Sequence, residues 1–413
     1  MRALVAAGDS VTLTTGPAFE PAVTAAGARF VELPADAVVD AATPPRRDLS
    51  GPRLIRHDLV HLFTAPAATQ AHHVLDLLRQ RPADVLVADT GFVGASLAAE
   101  RSGIPLGVYG ITVFPYASRD VAPFGSALPP RADLLGRTRN RVLGALLRRF
   151  VAGPSVAALD EQRRRVGLPR AGRSVLDWND RTALYLQLSP PGYDYPRSDR
   201  PAVVHDIGMP EPPVPAAWTP PTWWPALQDR RVVVVTQGTV ATDPGQLLRP
   251  ALDGLAGLDV LVVALAADPA ALGPLPANAR AATFVPYGPL MRRAAAVVTN
   301  GGFGGVQLAL AAGVPLVVAG RTEDKGEVAA RVAWSGVGLD LRSQRPAPAA
   351  VATAVRQVLA TPAFGRRARE LATRAPSAQA PGRAVALLEQ LARTGAPVTD
   401  LGDGPVGGVG RRP

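Results

Sequence analysis

The sequence predicts an α/β protein of two Rossmann-like domains, each built on a mainly parallel sheet. Three observations predict it. Residues 296–334 read as strand, glycine turn, helix, strand and helix in unbroken order. Short aliphatic runs at 84–89, 231–235 and 260–265 alternate with helical patterns along the rest of the chain. A length of 413 residues exceeds one comfortable core, and a hydrophobic share of 47% is enough to bury two.

Composition excludes several kinds of function. With 0 cysteines there are no disulfides, thiolate metal sites or cysteine nucleophiles. No run approaches about eighteen uninterrupted apolar residues, so no integral membrane segment is expected, and Met1-Arg2-Ala3 does not begin a signal peptide. A cytoplasmic location is the expectation. The formal charge of +10 would suit nucleic acid, but the arginines are scattered singly or in pairs such as Arg46-Arg47, Arg148-Arg149 and Arg292-Arg293. The densest cluster, Arg163-Arg164-Arg165, falls in a helical pattern and reads as a solvated face; no nucleic-acid partner is expected. Lys325 is the only lysine, in a chain that otherwise uses arginine, which suggests a place for a compact ammonium unless it is chance.

In chain order, residues 2–8 read as the last turns of a helix closed by Gly8. A strand at 10–15, a short helix at 19–27 and a strand at 30–33 follow, then a polar, Pro-rich loop at 41–52. A helical pattern over 54–79 carries four of the five histidines. His57 and His61 with His72 and His73 could be imagined as a metal site, but Asp58 points off that face, and plain helix-surface histidines are expected. A buried strand at 84–89 ends in Asp89, where parallel α/β folds place ligands; the plainer role for that carboxylate is to cap the next helix. A strand at 106–109 leads into a loop at 114–130 so rich in Pro, Gly and aromatics that it lines a pocket rather than merely connecting. Helices over 134–166 and a strand at 183–186 complete the first domain. Residues 209–225 are too Pro-dense for helix or sheet and read as a semi-rigid linker.

The second domain opens with the aliphatic strand at 231–235 and a Thr236-Gln237-Gly238-Thr239 turn that offers N–H and O–H donors to an anion. Strands at 260–265 and 283–285 follow. Then Gly301-Gly302-Phe303-Gly304-Gly305 sits between a strand and a helix, exposing backbone N–H groups with no Cβ to keep an anion away. A tight structural turn is the bland alternative. A dinucleotide fingerprint is another, but Gln307 stands where its third glycine belongs, although Glu323 could pass for its ribose-binding acid. Helices at 347–359, 364–374 and 383–393 close the chain, and 394–413 reads as a mobile tail.

The stretch 296–334 closely resembles the donor-binding signature of family 1 nucleotide-sugar glycosyltransferases, the UDP-glycosyltransferase and macrolide-glycosyltransferase group. Asn300 heads the turn, Ala309-Leu310-Ala311-Ala312-Gly313-Val314-Pro315 matches the middle, and Glu323-Asp324-Lys325 opens the last helix. The resemblance implies the GT-B fold, two domains facing each other across a cleft. It divides the chain into an acceptor-binding domain (1–208), a linker (209–230), a nucleotide-sugar-binding domain (231–380), a helix returning to the first domain (381–394) and a tail (395–413). It implies inverting, metal-independent transfer from a UDP- or dTDP-sugar to a hydroxyl of a small natural-product-like acceptor. The nucleotide sugar is a co-substrate, and no cofactor is expected. Gly238, Thr239, Asn300, Gly301, Gly302, Gly304 and Gly305 would face the diphosphate. Phe284 would stack on the nucleobase with the Val285 backbone beside its edge, and Asp324 and Lys325 would meet the sugar. Asp89 would hold and charge-stabilise a catalytic histidine.

The sequence departs from the family at several points. Asn300 replaces the common histidine, Leu308 stands where an acid or glutamine holds the ribose, and Lys325 replaces a glutamine. The chain enters at the "RALVAAG" of the family's first helix, so a strand, the loop with the catalytic histidine and the front of that helix, at least about 20 residues, are expected to be missing. A glycosyltransferase-like helper protein and an NAD(P)-dependent oxidoreductase are the alternative functions.

Overall fold

The computed structural model describes residues 1–38, 51–177, 182–238 and 243–400. Residues 39–50, which hold most of the Pro-rich loop, and 401–413 of the tail lie outside these. The first domain starts with α1 (Arg2–Ala7), which Gly8 closes in the left-handed conformation at φ 100°. β1 (Thr12–Thr15) and β2 (Arg29–Glu32) flank α2 (Glu20–Thr24). The predicted helix over 54–79 is divided. α3 (Gly51–Asp58) passes into a π-helical turn at Leu59–Thr64, and α4 (Ala67–Gln80) starts afresh after Pro66. Proline brings no N–H to the ladder and crowds the preceding turn, so the chain restarts there rather than running on.

β3 (Leu86–Asp89), α5 (Gly94–Ser102) and β4 (Leu106–Gly110) make a parallel unit. The loop beyond carries no regular element until α6 (Leu134–Leu147), a π-helical turn at Arg148–Ala152 and α7 (Gly153–Arg165). That helical stretch, Leu134–Arg165, is long and apolar enough by composition to cross a membrane. Its later half belongs to the fold, because Ala152 and Leu159 sit in the first-domain core. Arg163, expected on a solvated face, is instead buried and forked onto the Glu100 carboxylate with both bonds at 2.7 Å. β5 (Leu184–Gln187) and the short β6 (Val204–Asp206), which has no clear sequence signal, end this domain.

The second domain runs β7 (Val232–Thr236), α8 (Leu248–Leu255), β8 (Leu261–Leu265), β9 (Ala279–Ala282), α9 (Tyr287–Met291), β10 (Ala294–Thr299), α10 (Phe303–Ala311), β11 (Leu316–Val318), α11 (Lys325–Trp334) and β12 (Gly338–Asp340). The strand expected at 283–285 lies earlier, at β9, and Phe284 and Val285 follow it as extended chain. Helices α12 (Pro348–Ala360), α13 (Pro362–Arg374) and α14 (Ala380–Thr394) follow. α14 lays Leu387, Leu388 and Leu391 against Leu184 and Leu186 of β5, on the first domain. The Pro-rich segment carries one 3₁₀ turn at Trp224–Leu227 and packs Trp218, Trp223 and Trp224 on the second-domain core.

The two sheets differ in continuity. The second is one parallel sheet of six strands, ordered β12-β11-β10-β7-β8-β9. The order reverses at β10 and β7, and turns at the carboxyl ends of adjacent strands there open a crevice. The first is in two pieces, a β1-β2 pair and a four-stranded β3-β4-β5-β6 sheet. Among the described residues β1 pairs only with β2 and β3 only with β4, so no strand lies on the other side of Thr12–Thr15.

Candidate active site

The ends of β7 and β10 meet through one side chain. Asn300 donates from Nδ2 to the Gln237 carbonyl and accepts from the Gly302 N–H at 3.3 Å, stitching the first phosphate turn to the second. Gly238 takes φ 76°, and a Cβ there would lie 3.6 Å from Asn300 Oδ1. Thr239 lies outside the described residues.

The four turn glycines are not equivalent. Gly301 sits at φ 88°, and a Cβ on it would come within 2.7 Å of Val318 Cγ1, so it is needed for the fold. Gly304 has nothing within 4 Å of an added Cβ, and Gly305 only the Tyr287 hydroxyl at 4.0 Å. These two therefore look into open space at the start of α10. Among the described residues no side chain caps that helix, so its first N–H groups and the positive end of its dipole remain for an anion. Tyr287, one residue beyond the Phe284-Val285-Pro286 run, shares a 3.1 Å hydrogen bond with Thr236 and stands beside this space. Phe284 is 56% exposed, free to offer a ring face, whereas the Val285 side chain is buried in the core. Leu308 lines a cleft of about 270 Å³ with Glu211, Tyr287 and Gly288. Its neighbour Gln307 is fully buried, and neither side-chain end has a hydrogen-bond partner among the described residues.

Asp324 and Lys325 sit together at the start of α11 but are already engaged. Lys325 is buried, packs beside Gly301 and Gly320, and directs its ammonium to the Glu323 carboxylate and to Thr322 Oγ1 at 3.2 Å. Glu323 takes φ 54°, a strained setting for a residue with a Cβ. Asp324 accepts from Thr112 Oγ1 at 2.6 Å, across the cleft from the first domain. Burial raises its pKa, opposed by that hydroxyl and by Lys325.

One turn further, α11 holds the 114–130 loop. Glu327 Oε1 accepts from the Gly125 N–H at 2.8 Å and the Ala127 N–H at 2.6 Å, and Glu327 Oε2 accepts from Arg331 Nη1 at 2.7 Å. Arg331, 2% exposed, also donates from Nε to Asp194 of the first domain and lies over the Tyr195 ring, 4.2 Å from its centroid. Burial works against ionising Asp194, but Arg331 and Arg197 prevail and hold its pKa low. The two domains are thus joined by a buried chain of charges in which each member has its partner.

On the first-domain side Asp89 closes β3 and accepts from the Gly91 N–H at 2.6 Å, as a turn carboxylate does. Burial raises its pKa above the ordinary value. No described histidine hydrogen-bonds it. His73 Nε2 bonds Thr14 Oγ1 at 2.8 Å, the His57 ring lies tilted against His61 with centroids 4.6 Å apart, and His205 bonds the Val398 carbonyl. Among the described residues no three His, Asp or Glu side chains group to hold a metal.

Comparison with known proteins decides the family. The chain is 43% identical over 399 residues to the 4'-demethylrebeccamycin synthase of Lentzea aerocolonigenes, an alignment covering 94% of each. The chain belongs to the family 1 nucleotide-sugar glycosyltransferases. It is also 34% identical to UDP-glycosyltransferase 2 of Phaeomoniella chlamydospora, covering 88% of this chain and 85% of that one. The profile described as "Erythromycin biosynthesis protein CIII-like, C-terminal domain" matches residues 249–391. In fold it follows the calicheamicin glycosyltransferase CalG4, with a TM-score of 0.69 at 24% identity, covering 95% of this chain and 94% of the other. This GT-B glycosyltransferase moves a sugar from a nucleotide-sugar donor to a small acceptor.

The structure brings Gly238, Asn300, Gly301, Gly302, Gly304, Gly305 and Lys325 to one place, and sets Asp324 at the domain seam. Thr112, Glu327 and Arg331 escape sequence reasoning, and Tyr287 has no role in it. Tyr287 had a local signal, its place after Phe284-Val285-Pro286; the others depend on partners far along the chain.

Proposed function

We propose that the donor is a UDP- or dTDP-sugar whose diphosphate lies on Gly304, Gly305 and the uncapped start of α10, with Asn300 and Gly238 beside it. The observation that carries this reading is the open space over Gly304 and Gly305 at a helix start whose N–H groups have no side-chain cap among the described residues. The acceptor hydroxyl, held by the loop at 114–130, attacks the anomeric carbon as the bond from that carbon to the diphosphate oxygen breaks. The diphosphate leaves with the electron pair, its charge met by backbone N–H groups, and the sugar's configuration inverts. Asp324 and Lys325 meet the sugar hydroxyls once Asp324 exchanges its Thr112 bond for one to the donor. The work is cytoplasmic, and the likeness to a 4'-demethylrebeccamycin synthase supports a small natural-product acceptor.

The acceptor proton needs a base. Asp89 is suited to orient an imidazole and stabilise its charged form, but an ordinary carboxylate is too weak a base for a sugar-acceptor hydroxyl. With no described histidine hydrogen-bonded to Asp89, the 413-residue polypeptide should bind donor and turn over slowly. A thermal-shift panel of UDP, dTDP and NAD(P), repeated on Gly304→Val, tests the donor reading. Stabilisation by a uridine or thymidine nucleotide that vanishes in the variant supports it. Stabilisation by NAD(P) alone, or an unaffected variant, contradicts it.

A further inference from the structure

We propose that α6 docks this protein on an anionic lipid surface. A helix on a soluble domain normally turns its apolar stripe inward, yet here the stripe faces out. Leu135 is 70% exposed, Val142 52%, Leu146 47% and Phe150 63%. They recur at spacings that keep them on one face through α6 and into the π-helical turn. Leu134, 84% exposed, extends the patch at its start. Scattered surface leucines need no explanation, but a contiguous row does.

The charge along the same stretch decides the partner. No Asp or Glu stands between Asp133 and Asp160, while Arg137, Arg139, Arg141, Arg148 and Arg149 do. Arg137 is tied to Asp120, and Arg139 to the Pro129 carbonyl. Arg141, Arg148 and Arg149 are exposed and have no ion-pair partner among the described residues. Arg149 leans over the Phe150 ring, 5.7 Å from its centroid. An apolar row bordered by unpaired arginines suits a helix lying in the headgroup layer, its leucines in the acyl boundary and its guanidinium groups on lipid phosphates. It does not span the bilayer, because the helical stretch continues into the first-domain core.

The opposite side of α6 carries the 114–130 loop. Arg137 Nε donates to Asp120 Oδ1 at 2.9 Å, and Asn140 Nδ2 to the Arg119 carbonyl at 3.0 Å. A docked α6 therefore holds the 114–130 loop at the lipid boundary. This consequence rests on the transferase reading of that loop, and it assigns the enzyme an acceptor apolar enough to partition into lipid.

The test is flotation of the full chain with vesicles of phosphatidylcholine alone and of phosphatidylcholine with phosphatidylglycerol. The protein should float with the anionic vesicles only, and less at high salt. Leu146→Ser/Phe150→Ser and Arg148→Gln/Arg149→Gln should each lower the bound fraction about tenfold. Both should keep the nucleotide-induced thermal shift of the parent, which shows that they fold. Absence of flotation with anionic vesicles, or equal flotation by parent and variants, would overturn the proposal. So would a concentration-dependent dimer that Leu146→Ser/Phe150→Ser dissociates without any vesicle binding, which would give the stripe to a second copy. The readout needs neither donor nor acceptor, so its failure leaves the transferase reading intact; loss of nucleotide binding by the parent would strike that reading alone.

Discussion

The two domains use the same kind of sheet to different degrees of completion. β7 is buried at every position and β8 at all but its last, whereas β1 and β2 have no buried residue and Val87 of β3 is 37% exposed. Parallel strands rely on cover on both faces and neighbours on both edges, and among the described residues β1 and β3 each have a strand on one edge only. The difference falls along the chemistry. The half proposed to receive the leaving diphosphate holds the continuous six-stranded sheet, and in the half proposed to take the acceptor proton no described histidine hydrogen-bonds Asp89.

The seam between the halves should yield the largest effect. Arg331→Ala leaves Glu327 a buried carboxylate without its cation and Asp194 with Arg197 alone, and should cost about 3–5 kcal/mol. Chemical denaturation checks it. A loss below about 1 kcal/mol would mean that the domains are held together elsewhere.

Next comes the donor half itself. Gly304→Val should weaken UDP or dTDP binding about a hundredfold or more, roughly 3 kcal/mol, with Tm unchanged, because the new side chain enters open space. Gly301→Val, set against Val318 at positive φ, should instead lower Tm. Identical behaviour of the two variants would erase the distinction between a binding glycine and a folding glycine. Calorimetry of each variant decides it.

Residues 296–334 could be read closely because their signal is local: a glycine run between a β-branched strand and an apolar helix. The first domain resisted in specific places. The 54–79 pattern kept its helical periodicity across Pro66, which hid the break. β6, like β12 in the second domain, has three residues, too few for alternation to register. Arg331 and Asp194 lie 137 residues apart, and Thr112 and Asp324 lie 212 apart, so only the fold could pair them. The exposed row on α6 was invisible for the opposite reason. Its periodicity is that of a helix with a buried face, and sequence alone does not say which way the face turns.

Smaller effects sharpen the contrast. In the acceptor half, Asp120 anchors the 114–130 loop, and the Ser198 hydroxyl and backbone N–H with Arg137 hold its pKa down to about 2. A carboxylate depressed in the fold contributes stability that is complete above its unfolded value near 3.8 and lost as pH falls toward 2. Asp120→Asn should therefore flatten the acid limb of a Tm-against-pH curve. In the donor half, Gln307→Leu removes a buried amide with no partner among the described residues and should raise stability by about 1 kcal/mol. A drop instead would show that the amide is satisfied by ordered water.

A donor site at Gly304 and Gly305 is proposed opposite an Asp89 that no described histidine hydrogen-bonds, and chemical rescue probes this pairing. Release of nucleoside diphosphate from UDP- or dTDP-glucose, with a simple phenol as acceptor, would be followed as imidazole is added to the 413-residue polypeptide. The account predicts a low rate that rises with imidazole and a rescue that Asp89→Asn abolishes while nucleotide binding is retained. Fast release without imidazole, unchanged by Asp89→Asn, would contradict it.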